Sequence, residues 1–292
     1  MRNHIIPVLV FLAIPIYLSM LHGFESVMLI ELITPGASTS KENPFSLDFI
    51  KEYGPNQLTP NGERMHFTLG SHLRMLYPNI LTNTTTHKEI EVLSSSTPMC
   101  QTSAQSHMMG MYPSSPYNKI ENGFTHLKDP AYVNINVTRL AGDDALPYGQ
   151  KPFYMKMESK SEDFLFLPDI VQGCPKLAGT IQKSEKGYHT NLRSYMLRVG
   201  DYLKQIKVDI HKTYGHFEWS PEKINEIFEA IQSEYYYNGK LRDGFTEEAY
   251  RKLSLLHAMT MISKYLTDSS LRVIHTHHLA EKIVNELQNK SA

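Results

Sequence analysis

The chain has 292 residues, 41% of them hydrophobic and 20% charged, with a formal net charge of −1. That length and apolar content bury a substantial core, as one large domain or as a core with an insertion. The balanced charge excludes the basic excess that drives nucleic-acid binding, so no nucleic-acid partner is expected. Two cysteines, Cys100 and Cys174, can pair in an oxidising compartment, but two do not build a disulfide scaffold and neither has metal-ligand spacing. No metal or cofactor is expected, and the apolar core must carry the fold.

The first 23 residues are set apart from the rest. Arg2 and His4 precede the apolar run "IIPVLVFLAIPIYLSML", which has the length of a signal-peptide core, with a cleavage point near Gly23. A signal anchor is the alternative, because Ile5 to Leu21 lies at the lower edge of what spans a bilayer. Pro7, Pro15 and the strand-like segment beginning at Ser26 favour cleavage. The expectation is therefore a signal peptide over 1–23, a domain over 24–292, and a secreted or lysosomal location without a retained membrane span. Sequons at Asn83, Asn136 and Asn289 agree with export of a glycoprotein.

The segments that follow alternate in period. "SVMLIELI" (26–33) is a nearly continuous apolar run, as expected of a strand covered on both faces. Thr59-Pro60 supplies an N-cap and a first-turn proline for a helix that Pro78 stops, with Met65, Leu69, Leu73 and Leu76 on one face. "KEIEVLSS" alternates as a strand with Ile90 and Val92 on one side. "PMCQTSAQSHMMGMYP" is a second helix, turning Met99, Ser103, His107 and Met111 or their neighbours inward. This strand-helix-strand-helix order predicts an α/β fold with a mainly parallel sheet and helices on both faces.

Short strands at "AYVNINVTRL" and "PFYMKME" flank a Gly-Asp-Asp loop. Helices are expected through "HTNLRSYMLRVGDYLKQI", "SPEKINEIFEAIQSEYYY", "TEEAYRKLSLLHAMTMISKYL" and "THHLAEKIVNELQNK". Ser220-Pro221 and Thr246 are suitable starts, with Glu222 and Glu247 in the first turns. The stretch at about 178–250 is expected to form a mostly helical cap over the sheet.

Several clusters invite chemistry, and each has a plainer explanation. His275, His277 and His278 lack accompanying carboxylates or cysteines at ligand spacing, so solvated histidines are expected. Asp243, Glu247 and Glu248 match a helix N-terminus. The tyrosines of "SEYYYNG" suit packing against a neighbouring layer, and "HMMGMY" suits core filling.

Three blocks carry a family resemblance. "QLTPNGERMHFTLGSHLRMLYP" resembles the segment after the first strand of histidine acid phosphatases, of the histidine phosphatase superfamily, branch 2. "SSSTPMCQTSAQSHMMGMYP" is similar to the second family block, and "SEDFLFLPDIVQGCPKL" to a third. Together they cover roughly residues 27–180.

The resemblance implies a phosphate site at the end of the first strand. Family members carry Arg-His-Gly-x-Arg-x-Pro there; the histidine attacks phosphorus and the arginines hold the phosphate oxygens. This sequence reads Thr34-Pro35-Gly36-Ala37-Ser38-Thr39-Ser40. Only Gly36 is kept, an expectation tied to the backbone freedom of a turn. Pro35 offers no nucleophile, and neither Thr34 nor Ser38 supplies a fixed positive charge. In the second block Leu93 and Met99 stand where the family has arginines, and Ser96 where it has an acid. Apolar groups there present no donor to oxygens that must lose their water on entry.

The family's later His-Asp pair, which protonates the leaving oxygen, has no counterpart dipeptide in this sequence. The last helix resembles the one shortly before that strand, which implies that the C-terminal part of the sheet, with the usual partner of a cysteine like Cys174, is missing. A reassigned nucleophile, Ser38 or Ser40 with His66 or His72, would need geometry that the family site does not supply. The expected function is thus a catalytically inactive member of the secretory pathway, with an active phosphomonoesterase using other residues as the alternative. The sequence identifies no partner, and phosphate-ester binding is not expected.

Overall fold

Thr59-Pro60 starts the first long helix as the sequence predicts. Thr59 Oγ1 accepts from the Gly62 amide at 3.2 Å, and Pro60 occupies the first turn, where a missing N–H has no helical partner to lose. The structure, a computed structural model, describes residues 28–81, 90–113, 146, 149–157, 200–217, 223–265 and 269–291. Their elements in chain order are α1 (Asp48–Tyr53), α2 (Pro60–Leu76), β1 (Leu93–Ser94), α3 (Pro98–Met111), β2 (Lys156–Met157), α4 (Gly200–Tyr214), α5 (Ile224–Asn238), α6 (Glu247–Tyr265) and α7 (Ser269–Ser291). The expected leader, the strand at 131–140, the Gly-Asp-Asp loop, the third family block and the first part of the expected cap lie outside the described residues.

Among the described residues the architecture is helix-rich with one small sheet. β1 and β2 pair in parallel, Leu93 opposite Lys156 and Ser94 opposite Met157. Both fall inside predicted strands. Ile90 and Val92 pack together against Leu73, Met108 and Met111, as their alternation requires.

The leading segment differs from expectation. Residues 28–33 have no strand partner among the described residues, and they are covered on one side only. Leu29 packs against the Leu73–Met108–Met111 cluster, while Ile30 and Leu32 are 41% and 61% exposed. Glu31 is the physical reason for the one-sided contact. A carboxylate inside an apolar run needs a polar partner, and α3 provides one.

The helical half is better filled. Ile206 and Ile210 of α4, Ile227 and Ile231 of α5, and Leu253 of α6 are fully buried in one cluster, with Phe217 and Phe245 closing its ends. Gly239 ends α5 in the left-handed conformation at φ 70°, and Thr246 Oγ1 caps α6 by accepting from the Ala249 amide at 3.1 Å. Arg242 donates through Nε to Glu234 Oε1 at 3.0 Å and lies 4.6 Å from the Tyr214 ring centre, joining α4 to α5. Burial, with Glu234 close by, pushes the Tyr214 hydroxyl well above its usual range.

Three helix boundaries depart from the sequence reading. α1 was not expected; Asn43 stabilises its entry by accepting from the Leu47 amide at 2.7 Å, and Leu47 and Ile50 bury against Ala230. α4 runs beyond Ile206 to Tyr214, and α7 begins at Ser269, which places His275, His277 and His278 inside a helix rather than at its start. Glu91 accepts from Lys156 at 2.7 Å and from Lys282 of α7 at 3.0 Å, and these bonds hold its carboxyl below the usual range. Among the described residues no helix is long and apolar enough to cross a membrane.

Candidate functional site

The turn at residues 34–40 is where the sequence places the site, and several of its polar groups are bonded to neighbouring segments of the protein. Ala37 O accepts from both the amide and the hydroxyl of Thr59, at 2.9 and 2.7 Å. The Thr39 amide donates to Gln57 O at 2.8 Å, and its hydroxyl donates to Gly54 O at 2.7 Å. Ser233 of α5 donates to Ser38 O at 2.8 Å, and the Gly36 amide donates to Ser103 Oγ of α3 at 3.1 Å. These donors are therefore engaged with protein groups before any anion arrives.

Beneath the turn, α2 and α3 cross backbone to backbone. A Cβ on Gly70 would collide with His107 O, and one on Gly110 with Phe67 O; the Met111 and Ser71 amides would lie 2.9 Å from those added carbons. This contact decides which faces turn inward. α2 buries Gly62, His66, Gly70 and Leu73, while Met65, Leu69 and Leu76 are 49%, 37% and 40% exposed. The expected apolar face is thus displaced, and only Leu73 of the four predicted residues is buried, because glycine permits a closer approach than methionine or leucine. On α3 the expected Ser103, His107 and Met111 are buried and Met99 is half-buried.

Gly36 needs a corrected explanation. It is not among the glycines with positive φ, so a turn's backbone freedom is not what requires it. A Cβ there would lie 2.7 Å from Gly62 O and 2.9 Å from the ring carbon Cδ2 of His66. Close approach to α2 makes the position glycine.

Two buried imidazoles occupy the space so defined. His66 and His107 are 5% and 4% exposed, with ring centres 6.0 Å apart in a T-shaped arrangement. His107 Nε2 bonds Glu31 Oε2 at 2.9 Å, and the Thr34 backbone lies near enough to the His66 ring to act on it. The Nδ1 atoms of both rings are buried without a partner. Burial first, and the neighbouring His107 second, push the His66 pKa below 6.5, against weaker opposing effects of the Thr34 backbone and Glu31.

The other predicted positions are placed as follows. Thr34 is exposed, Pro35 and Ser38 are half-buried, and Leu93 is half-buried in β1 with Ser96 and Met99 half-buried just after it. Ser40 gives its hydroxyl proton to Glu42 O at 2.6 Å, and His72 is exposed on α2. Among the described residues no hydrogen bond joins Ser38 or Ser40 to His66 or His72. Arg74 Nη1 donates to Met111 O at 2.9 Å, Arg242 holds Glu234, Arg251 pairs with Glu247 at 3.7 Å, and Arg64 is exposed. The structure thus brings an imidazole to the turn without any of these guanidinium groups.

Elsewhere the plainer explanations fit the contacts. Asp243, Glu247 and Glu248 pair with Lys240, Arg251 and Lys252 at 3.5, 3.7 and 2.6 Å on the surface. His277 and His278 are exposed, and no group of His, Cys, Asp or Glu among the described residues has the geometry to hold a metal. Cys100 is free and half-buried, while Cys174 lies outside the described residues. His257 bonds Asn225 Oδ1 at 2.9 Å and stacks on Phe228 at 4.4 Å; burial pushes its pKa down.

Sequence reasoning missed the Glu31–His107 contact and the glycine face of α2. Both left a signal. An acid within "SVMLIELI" demands a partner, and helix-interior glycines at Gly62 and Gly70, eight residues apart with His66 midway, point to a packing reason.

Comparison with known proteins bears on the same region. The family model described as histidine phosphatase superfamily (branch 2) matches residues 11–291. Prostatic acid phosphatase of Rattus norvegicus is 24% identical over 233 residues, 76% of this chain and 51% of that protein. The chain therefore spans about half the length of that relative. The phytase from Citrobacter braakii superposes with a TM-score of 0.43 at 12% identity, covering 78% of this chain and 58% of its own.

Proposed function

The chain belongs to the histidine phosphatase superfamily, branch 2, and from that premise we propose that it is a catalytically inactive member that keeps the scaffold as a binding surface. The observation that carries the proposal is Pro35 at the position of the family nucleophile, beside a turn whose Gly36 amide is taken by Ser103. A proline ring nitrogen within a peptide bond has its lone pair delocalised into the carbonyl, so it is no nucleophile for phosphorus. Leu93 and Met99 add no donor for phosphate oxygens. Export follows from the apolar leader over 1–23, and the helices within 178–250 serve as the cap in this proposal.

Removal of a nucleophile costs about 10⁶ in rate in one well-studied hydrolase, and here the clamping cations are replaced as well. Purified protein incubated with an aryl phosphate at acid pH is expected to show turnover at background and no phosphoenzyme. Turnover within about a hundredfold of an ordinary acid phosphatase overturns the proposal.

One observation favours the alternative, an active phosphomonoesterase: the His66 ring lies directly against Gly36. That reading requires turnover, and loss of that turnover in His66→Gln. Background activity in the unaltered protein removes it.

A further inference from the structure

Half-buried Glu31 and the buried rings of His107 and His66 lie together where the leading segment meets α2 and α3. The 2.9 Å contact joins Glu31 Oε2 to His107 Nε2, and the other ring nitrogen of His107, Nδ1, is buried without a partner. His66 is in the same condition, its Nδ1 buried without a partner. Neutral rings tolerate this state. A second proton on the His66 ring creates a buried N–H with no acceptor and a charge next to another imidazole.

We propose that this crossing is an acid-sensitive latch: residues 29–39 stay seated on α2 and α3 while His66 is neutral, and a proton taken up by His66 releases them. The charged and titratable groups acting on His66 are His107 from α3 and Glu31 from the leading segment. Glu31 Oε2 bonds His107, and among the described residues no hydrogen bond joins Glu31 to His66. Nor can the ring swing clear within the closed structure, because Gly36 lies over its edge and His107 beside it. Lifting the segment is the motion that exposes His66 to water.

The direction in pH follows from proton linkage. His66 binds a proton less readily closed than open, where the ordinary value of 6.5 applies. The closed state is therefore fully favoured above that pH and loses ground as pH falls below it. Across that window the opening equilibrium rises by up to about tenfold per pH unit, the slope for one extra bound proton.

Hydrogen exchange on the full chain between about pH 7.5 and pH 5, corrected for the intrinsic chemical rate, tests this. Peptides covering 29–39, which include the Gly36 and Thr39 amides, are expected to lose protection at up to about tenfold per pH unit. His66→Gln, which keeps a polar side chain and takes up no proton, is expected to show no such dependence. Constant protection of 29–39 in the unaltered protein overturns the proposal, as does an undiminished response in His66→Gln. If that variant fails to fold, the unaltered protein alone decides. Peptides of α5 and α6 around Ile227 and Leu253 are expected to stay protected, and loss of protection in step with 29–39 means global unfolding and overturns the latch.

Discussion

In the helical half, α4, α5 and α6 meet through branched side chains, and the gap between backbones is filled by residues such as Ile210, Ile231 and Leu253. At the α2/α3 crossing there is almost no gap to fill: Gly70 lies against His107 O and Gly110 against Phe67 O. The first region gains stability from buried apolar area. The second positions polar groups, because a tight backbone contact fixes where Ser103, His66 and His107 point. The difference teaches where each region is vulnerable, through lost volume in one and added volume in the other.

Removing volume from the helical half is expected to have the largest effect. Leu253 is fully buried, so Leu253→Ala should cost about 4 kcal/mol in urea denaturation. A cost below about 1 kcal/mol would mean that the cluster rearranges freely and that the contrast between the regions is false. Adding volume at the crossing comes next. Gly70→Ala should cost about 2 kcal/mol despite the better helix propensity of alanine, since the methyl group meets main chain that cannot move aside alone. A stabilised Gly70→Ala protein would show that the helices do not meet this closely.

The smallest effect separates the two regions by pH. His257 is also held below 6.5 by burial, so its contribution to stability is complete above that value and is lost as pH falls through its folded pKa. His257→Gln should therefore flatten part of the acid loss seen in thermal melts while leaving exchange in 29–39 unchanged. A change in the 29–39 peptides would couple the two halves and blur the comparison.

Much of the helical half was legible in the sequence because its contacts follow a 3.6-residue period: α5 ends one residue past its predicted stretch, and α6 falls within a predicted helix and starts beside Thr246. The Thr59-Pro60 start was legible as well, since capping chemistry is local. The inward face of α2 was not. Hydrophobic periodicity favoured Met65, Leu69 and Leu76, but the packing distance set by Gly70 and Gly110 is a property of two helices together. Likewise, Pro35 could be read from the sequence, whereas the partner of Glu31 lies 76 residues away on another element. The long apolar run at 26–33 suggested a doubly covered strand because burial of its alternate members depends on neighbours that its own pattern does not encode.

The glycines at 36, 62, 70 and 110 have a consequence for ancestry. Each is closed to even one additional carbon by a carbonyl oxygen of a neighbouring segment. Whatever side chains change around them, these four positions are barred from growing without moving a neighbouring backbone, so kinship is best recorded at the sites where nothing protrudes.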